Sequence, residues 1–172
     1  MTAKGSEEMT NAGGPIKPIE QLLPALRGVF MRYRVTLAYL YGSQARGDAG
    51  PLSDVDVAVL FKFDVSRAER SDRLLKLIGE LISVFGRSDV FVADLDAASP
   101  LLRYEVYREG RPLFCADDEL HVKFMTEALR DYEDTRPLRQ IQREYLMQSI
   151  AQGTFGRARL TVAEKKEPYG QS

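Results

Sequence analysis

The chain has 172 residues, 44% of them hydrophobic and 28% charged, which fits one domain of usual size with enough length to bury a core. Its 24 basic and 25 acidic residues leave a net charge of −1. Without clustered excess cation there is no footprint for wrapping nucleic acid, and a template-reading enzyme is not expected. No apolar run approaches the roughly 18 residues of a membrane span, and the N-terminus lacks a secretory hydrophobic core. The expectation is a cytoplasmic protein with neither a membrane nor a nucleic acid as partner.

Residues 1–16 carry little apolar content and read as a flexible leader. From Pro18, apolar residues at Ile19, Leu22, Leu23, Leu26, Val29 or Phe30 and Tyr33 recur at helical spacing. Pro24 interrupts them, so the helix either starts near that proline or kinks there. Val35 to Tyr41 reads as a first strand and Val55 to Phe63 as a second.

Between these strands lies the stretch that carries chemistry. Gly42-Ser43 ends the first apolar run, ten residues follow (Gln44 to Ser53), and Asp54-Val55-Asp56 opens the second. Alternate side chains of a strand share a face, so Asp54 and Asp56 project together, away from Val55 and Val57. Two carboxylates that close repel each other unless a divalent cation lies between them. Magnesium is usually shared between one or two carboxylates and substrate phosphates, so the pair reads as half of a metal cage whose other half is a nucleoside triphosphate. Gly42 lets backbone approach a ligand closely. Ser43-Gln44-Ala45-Arg46 reads as the first turn of a helix capped by Ser43, whose amides and hydroxyl favour phosphate. Arg46 adds a cation one turn on.

Downstream, Ser66 to Phe85 is an amphipathic helix with Leu74, Leu77, Ile78, Leu81, Ile82 and Phe85 on one face, ended by Gly86. Asp89 to Leu95 is a third strand. Ser99 caps a helix through about Arg108, with Pro100 in its first turn and Gly110 beyond its end. Pro112 to Cys115 is a short edge strand, and Cys115, the only cysteine, is expected to take a buried apolar role. A helix from Asp117 carries Leu120, Phe124, Ala128, Leu129 and Tyr132, and Pro137 breaks or kinks it. A stripe of Leu138, Ile141, Tyr145, Leu146 and Ile150 continues to Gly153. The sole histidine, His121, has no second histidine or nearby cysteine for a zinc site. Residues 154–172 read as a flexible tail. The order of elements gives an α/β (α+β) domain whose small mixed sheet has flanking helices and carries the carboxylates on one open face.

The hexad Gly42-Ser43-Gln44-Ala45-Arg46-Gly47, followed by Ser53-Asp54-Val55-Asp56, resembles the signature of the minimal nucleotidyltransferases (MNT) of the DNA polymerase beta superfamily. Asp94-Leu95-Asp96-Ala97-Ala98-Ser99-Pro100-Leu101-Leu102 and then Glu105-Val106 to Gly110-Arg111-Pro112-Leu113-Phe114 are similar, more narrowly, to the MNT antitoxins paired with HEPN toxins. The resemblance covers about residues 20 to 150 and implies a polymerase-beta-like fold, with a nucleotidyltransferase domain and C-terminal helices over 17–153.

It implies a magnesium-dependent transfer of AMP from ATP to an acceptor hydroxyl, in the antitoxin group a tyrosine of the HEPN ribonuclease toxin. It also implies a third metal-binding carboxylate on the next strand. One metal on Asp54, Asp56 and that acid would activate the acceptor, and a second on Asp54 and Asp56 would hold the triphosphate. Asp89 is the choice for the third acid and Asp94 the alternative; in strand alternation they fall on opposite faces. Matching on the Asp-Leu before Ala97 instead places Phe91 where the acid usually sits. The expected site is therefore Asp54, Asp56 and Asp89 for metal and catalysis, with Gly42, Ser43 and Arg46 for the nucleotide. Two rivals are an antitoxin that neutralises by contact alone and a small-molecule transferase resembling the aminoglycoside-modifying enzymes, for which an evident second domain is missing.

Overall fold

A computed structural model describes residues 16–155. The expected leader and tail lie outside the described residues, apart from Ile16, Thr154 and Phe155. The chain divides into two compact units, Met1–Asp134 and Thr135–Ser172.

The first unit begins with α1, Ile19–Arg32, which starts directly after Pro18 and contains Pro24. It leads into β1, Val35–Tyr41, then a single short turn of helix, α2, Gly42–Arg46. Next come β2, Val55–Phe61, and α3, Arg67–Phe85. The start of α3 is set by a capping box in which the Ser66 hydroxyl accepts from the Glu69 amide while the Glu69 carboxylate accepts from the Ser66 amide. β3 is Val90–Asp94 and α4 is Pro100–Glu109, whose cap Ser99 accepts from the Leu102 amide. β4, Arg111–Cys115, and α5, Asp118–Asp134, complete the unit. The second unit contains α6, Arg136–Ala151, which has Pro137 in its first turn and an exposed apolar stripe of Leu138, Ile141, Tyr145 and Ile150.

The strands form one mixed sheet in the order β3-β2-β1-β4. β1 runs antiparallel to β2 and β4, and β2 runs parallel to β3. β2 stops at Phe61, short of the expected Phe63, because β1 only begins at Val35; the Lys62 amide makes a last bond to the Arg34 carbonyl, and Phe63 is exposed.

Helices cover both faces. Val55, Val57 and Val59 of β2 pack with Leu26 and Phe30 of α1 and with Leu77 and Leu81 of α3. On the other face Ala58, Leu37 and Tyr39 pack with Val106 of α4 and with Phe124 and Ala128 of α5. The carboxylate-bearing face is therefore not open as expected: α4 and α5 fill its middle and leave only its end to the acids. Cys115 also departs from expectation. It ends the edge strand and is exposed, its thiol donating toward the Asp117 carbonyl at 3.4 Å.

Tyr39 is 4% exposed and its hydroxyl has no hydrogen-bond partner among the described residues. Burial, then the nearby Cys115, pushes its pKa up to about 12 from 10. A raised folded-state value favours the neutral phenol, so its contribution is full below pH 10 and is lost as pH climbs toward 12. Tyr39→Phe is expected to remove that alkaline loss and, at neutral pH, to leave stability unchanged or raise it by up to about 1 kcal/mol, because an unpaired buried hydroxyl is removed with little change of shape. Urea unfolding of both proteins at pH 8 and pH 11 measures this.

Candidate active site

The end of β1 meets the beginning of β2. Tyr41 pairs with Asp56, and the chain turns at Gly42 into α2 beside the acids. Gly42 takes φ +68°, and a Cβ there would lie 2.5 Å from Oδ2 of Asp56. Only a residue without a side chain allows the backbone of this turn and the Asp56 carboxylate to be so close.

α2 starts one residue earlier than expected. Tyr41, with extended backbone, is its cap and makes no side-chain capping bond, so Ser43 lies inside the first turn. The reason is Gly42: its left-handed backbone already begins the turn, and the Ser43 hydroxyl is not used as a cap. The Ser43 carbonyl closes the helix by accepting from the Gly47 and Asp48 amides at 3.0 and 3.2 Å.

Asp54 is exposed and Asp56 is half-buried. Burial, then the charge of Asp54, holds the Asp56 pKa above the usual carboxylate range, and Arg46 acts in the opposite sense. The two acids are thus close enough to repel, and the donor set of two carboxylates beside a glycine backbone suits a divalent cation. Arg46 is itself engaged: its Nε donates to Asp48 at 3.1 Å and its Nη1 to Glu109 at 3.4 Å. These are exposed pairs of small energetic worth, so the guanidinium can change partners when a stronger anion arrives. Tyr41, which sequence reasoning passed over, also faces this region; its pKa is raised by burial, then by Asp56 and Glu105.

Neither candidate for a third carboxylate joins the pair. Asp94 pairs in register with Val59, on the face covered by α1 and α3, where it lies 4.0 Å from Arg70 of α3 and accepts from the Asp96 amide. Asp89 lies on the right side, and its carbonyl accepts from the Val55 amide at 2.9 Å. Its carboxylate, however, takes two bonds from Arg87, one of them 2.8 Å from Nε. Among the described residues no group of three or more His, Cys, Asp or Glu side chains is placed to hold a metal ion.

Arg87 was missed at the level of sequence. It is 7% exposed, donates to the Ser53 carbonyl at 2.6 Å, and its own pKa is raised by Asp89 above all, with Asp54 contributing. It clasps the residue before Asp54 to the start of β3. The available signal was an arginine two residues ahead of an acid at a strand entry. Arg87→Lys keeps the charge but loses the bidentate fork; it is expected to cost about 1–2 kcal/mol in thermal unfolding and to weaken metal-nucleotide binding by loosening Asp54.

A second concavity of about 830 Å³ opens at the other end of the sheet, between Val35, Phe61, Phe114 and Phe124. Two arginines of its lining are held in ion pairs, Arg103 with Glu127 and Asp131 and Arg34 with Asp64. The acids at the start of β2 are the better candidate for chemistry.

The chain is 29% identical over 127 residues, 73% of its length and 83% of the relative's, to the protein adenylyltransferase MntA of Shewanella oneidensis. It is similar to a crystal structure of a toxin–antitoxin with AMP-PNP at a TM-score of 0.58 and 25% identity, covering 73% of this chain and 98% of that one. A structure of a tri-AMPylated HEPN toxin of Shewanella oneidensis in complex with its MNT antitoxin shares the fold at a TM-score of 0.57 and 23% identity, covering 76% and 99%. Among the described residues no helix is long and apolar enough to cross a membrane. Residues 25–119, more than half of the chain, match the family of polymerase beta nucleotidyltransferases, and the protein belongs to that family.

Proposed function

We propose that this nucleotidyltransferase is an antitoxin that uses Mg²⁺ to move AMP from ATP onto a tyrosine hydroxyl of a HEPN ribonuclease toxin. The observation that carries the reading is the approach of Gly42 to the half-buried Asp56, beside Asp54, in a chain similar to a protein adenylyltransferase. The acceptor oxygen forms a bond to the α-phosphorus, the bond from that phosphorus to pyrophosphate breaks, and the hydroxyl proton passes to solvent. When bound, the divalent cation supplies positive charge that offsets the triphosphate and lowers the pKa of the acceptor hydroxyl.

Asp54 and Asp56 hold that cation. The Ser43 hydroxyl and the amides beside Gly42 donate to the outer phosphates, and Arg46 leaves Asp48 and Glu109 to join them. Asp89 acts through Arg87, keeping Asp54 in place. ATP as donor puts the reaction in the cytoplasm.

The test mixes the protein with α-labelled ATP, Mg²⁺ and the HEPN protein of the adjacent gene. Label on the partner, lost in Asp54→Ala and Asp56→Ala, is expected; no label, or label indifferent to both substitutions, refutes the reading. The engagement of Asp89 by Arg87 favours one alternative, neutralisation by contact alone. In that case the double substitution leaves the toxin silenced; in the catalytic case it releases the toxin.

A further inference from the structure

In a parallel pair, residues opposite one another point to the same face of the sheet. Asp56 of β2 stands opposite Phe91 of β3, and Val55 opposite Val90. One step back, the bond from the Val55 amide to the Asp89 carbonyl carries the same register on, so Asp54 falls beside Asp89. The start of the two strands is thus a patch of two rows, Asp54 with Asp89 and Asp56 with Phe91.

In neither row does a second carboxylate stand ready for a cation, and the reason differs. Asp89 is taken by the buried Arg87 guanidinium, and releasing it would deprive that cation of a bidentate partner. Phe91 is a phenyl ring, 57% exposed on the same face as Asp56. Magnesium demands six oxygen ligands at about 2.0–2.1 Å, and a ring offers none and turns water away from that side.

Resting on the transferase reading, we propose that this site holds a single divalent cation, on Asp54 and Asp56, and that Phe91 fills the place beside Asp56 where a carboxylate would be needed to hold another. Phe91 therefore determines the metal count of the site. The ring's exposure also makes it replaceable without disturbing the core.

Equilibrium dialysis against manganese and a non-hydrolysable ATP analogue, with bound metal and bound nucleotide both counted, tests this. Wild type is expected to hold one manganese per bound nucleotide and Phe91→Asp two, a doubling, with melting temperatures that show both are folded. Two manganese ions per nucleotide in wild type overturn the proposal, and need no variant to do so. A folded Phe91→Asp that still holds one overturns it as well. Absence of any manganese-assisted nucleotide uptake by wild type instead sinks the transferase reading on which the proposal stands.

Discussion

Asp56→Asn is expected to lower the rate of nucleotidyl transfer by at least ~10³-fold, about 4 kcal/mol of transition-state stabilisation, while leaving the melting temperature unchanged or higher. The two effects have one cause. Asp56 is a half-buried charge whose pKa is raised by burial, then by Asp54, with only partial relief from Arg46. A folded-state carboxylate with a raised pKa costs stability above that pKa, so neutralising it relieves the protein at neutral pH. The same crowding of charge is what a divalent cation answers. In wild type, Mg²⁺ with a non-hydrolysable ATP analogue should raise the melting temperature, because a ligand that binds only the folded state stabilises it. In Asp56→Asn that rise should vanish. Transfer within tenfold of wild type would mean that this acid is not part of the site, and a sharp loss of stability would mean that its role is structural.

Gly42→Ala should be the second most damaging change, and it should damage both properties. At φ +68° an alanine is strained by about 1–2 kcal/mol. Its Cβ would also fall 2.5 Å from Oδ2 of Asp56, so the carboxylate must swing away. A displacement near 1 Å at a reacting centre costs on the order of 10²-fold in rate. The expected result is therefore a melting temperature lowered by several degrees and kcat/KM down about 100-fold. Combining the two substitutions gives the sharper check. If Gly42 matters through Asp56, the double variant should be no slower than Asp56→Asn alone, whereas independent roles would multiply. Kinetics of the four proteins and their melting curves decide it.

Much of this architecture was legible from short-range pattern. The apolar run Val35 to Tyr41 is β1 to the residue, Ser66 and Gly86 delimit α3, and Ser99 with Pro100 begins α4. Each is dictated within one turn of chain, by alternation, by a hydroxyl reaching a nearby amide, or by a ring that suits the first turn. The pairing of Asp54 with Asp56 is of the same kind, since two residues along a strand share a face. Errors began where a residue's fate depends on more than its own type and its place in a pattern. Ser43 looked like a cap because the hydroxyl was in place, but Gly42 had already started the turn. Cys115 looked buried because its neighbours are apolar, yet it closes an edge strand. The carboxylates looked as if they stood on an open face, until α4 and α5, a hundred residues from the chain start, were found across its middle.

From the amino acids alone came the signature that joins a glycine turn to two acids, and with it the family and the class of reaction, because spacing along one chain suffices to say which side chains a strand and a turn will present together. The third acid was a different matter. Asp89, Phe91 and Asp94 lie within six residues, and which of them stands beside Asp56 and which faces α3 follow from strand register and helix packing. Those are set by parts of the molecule far apart in sequence, so only the folded chain could decide that Phe91, not a carboxylate, is the neighbour of Asp56.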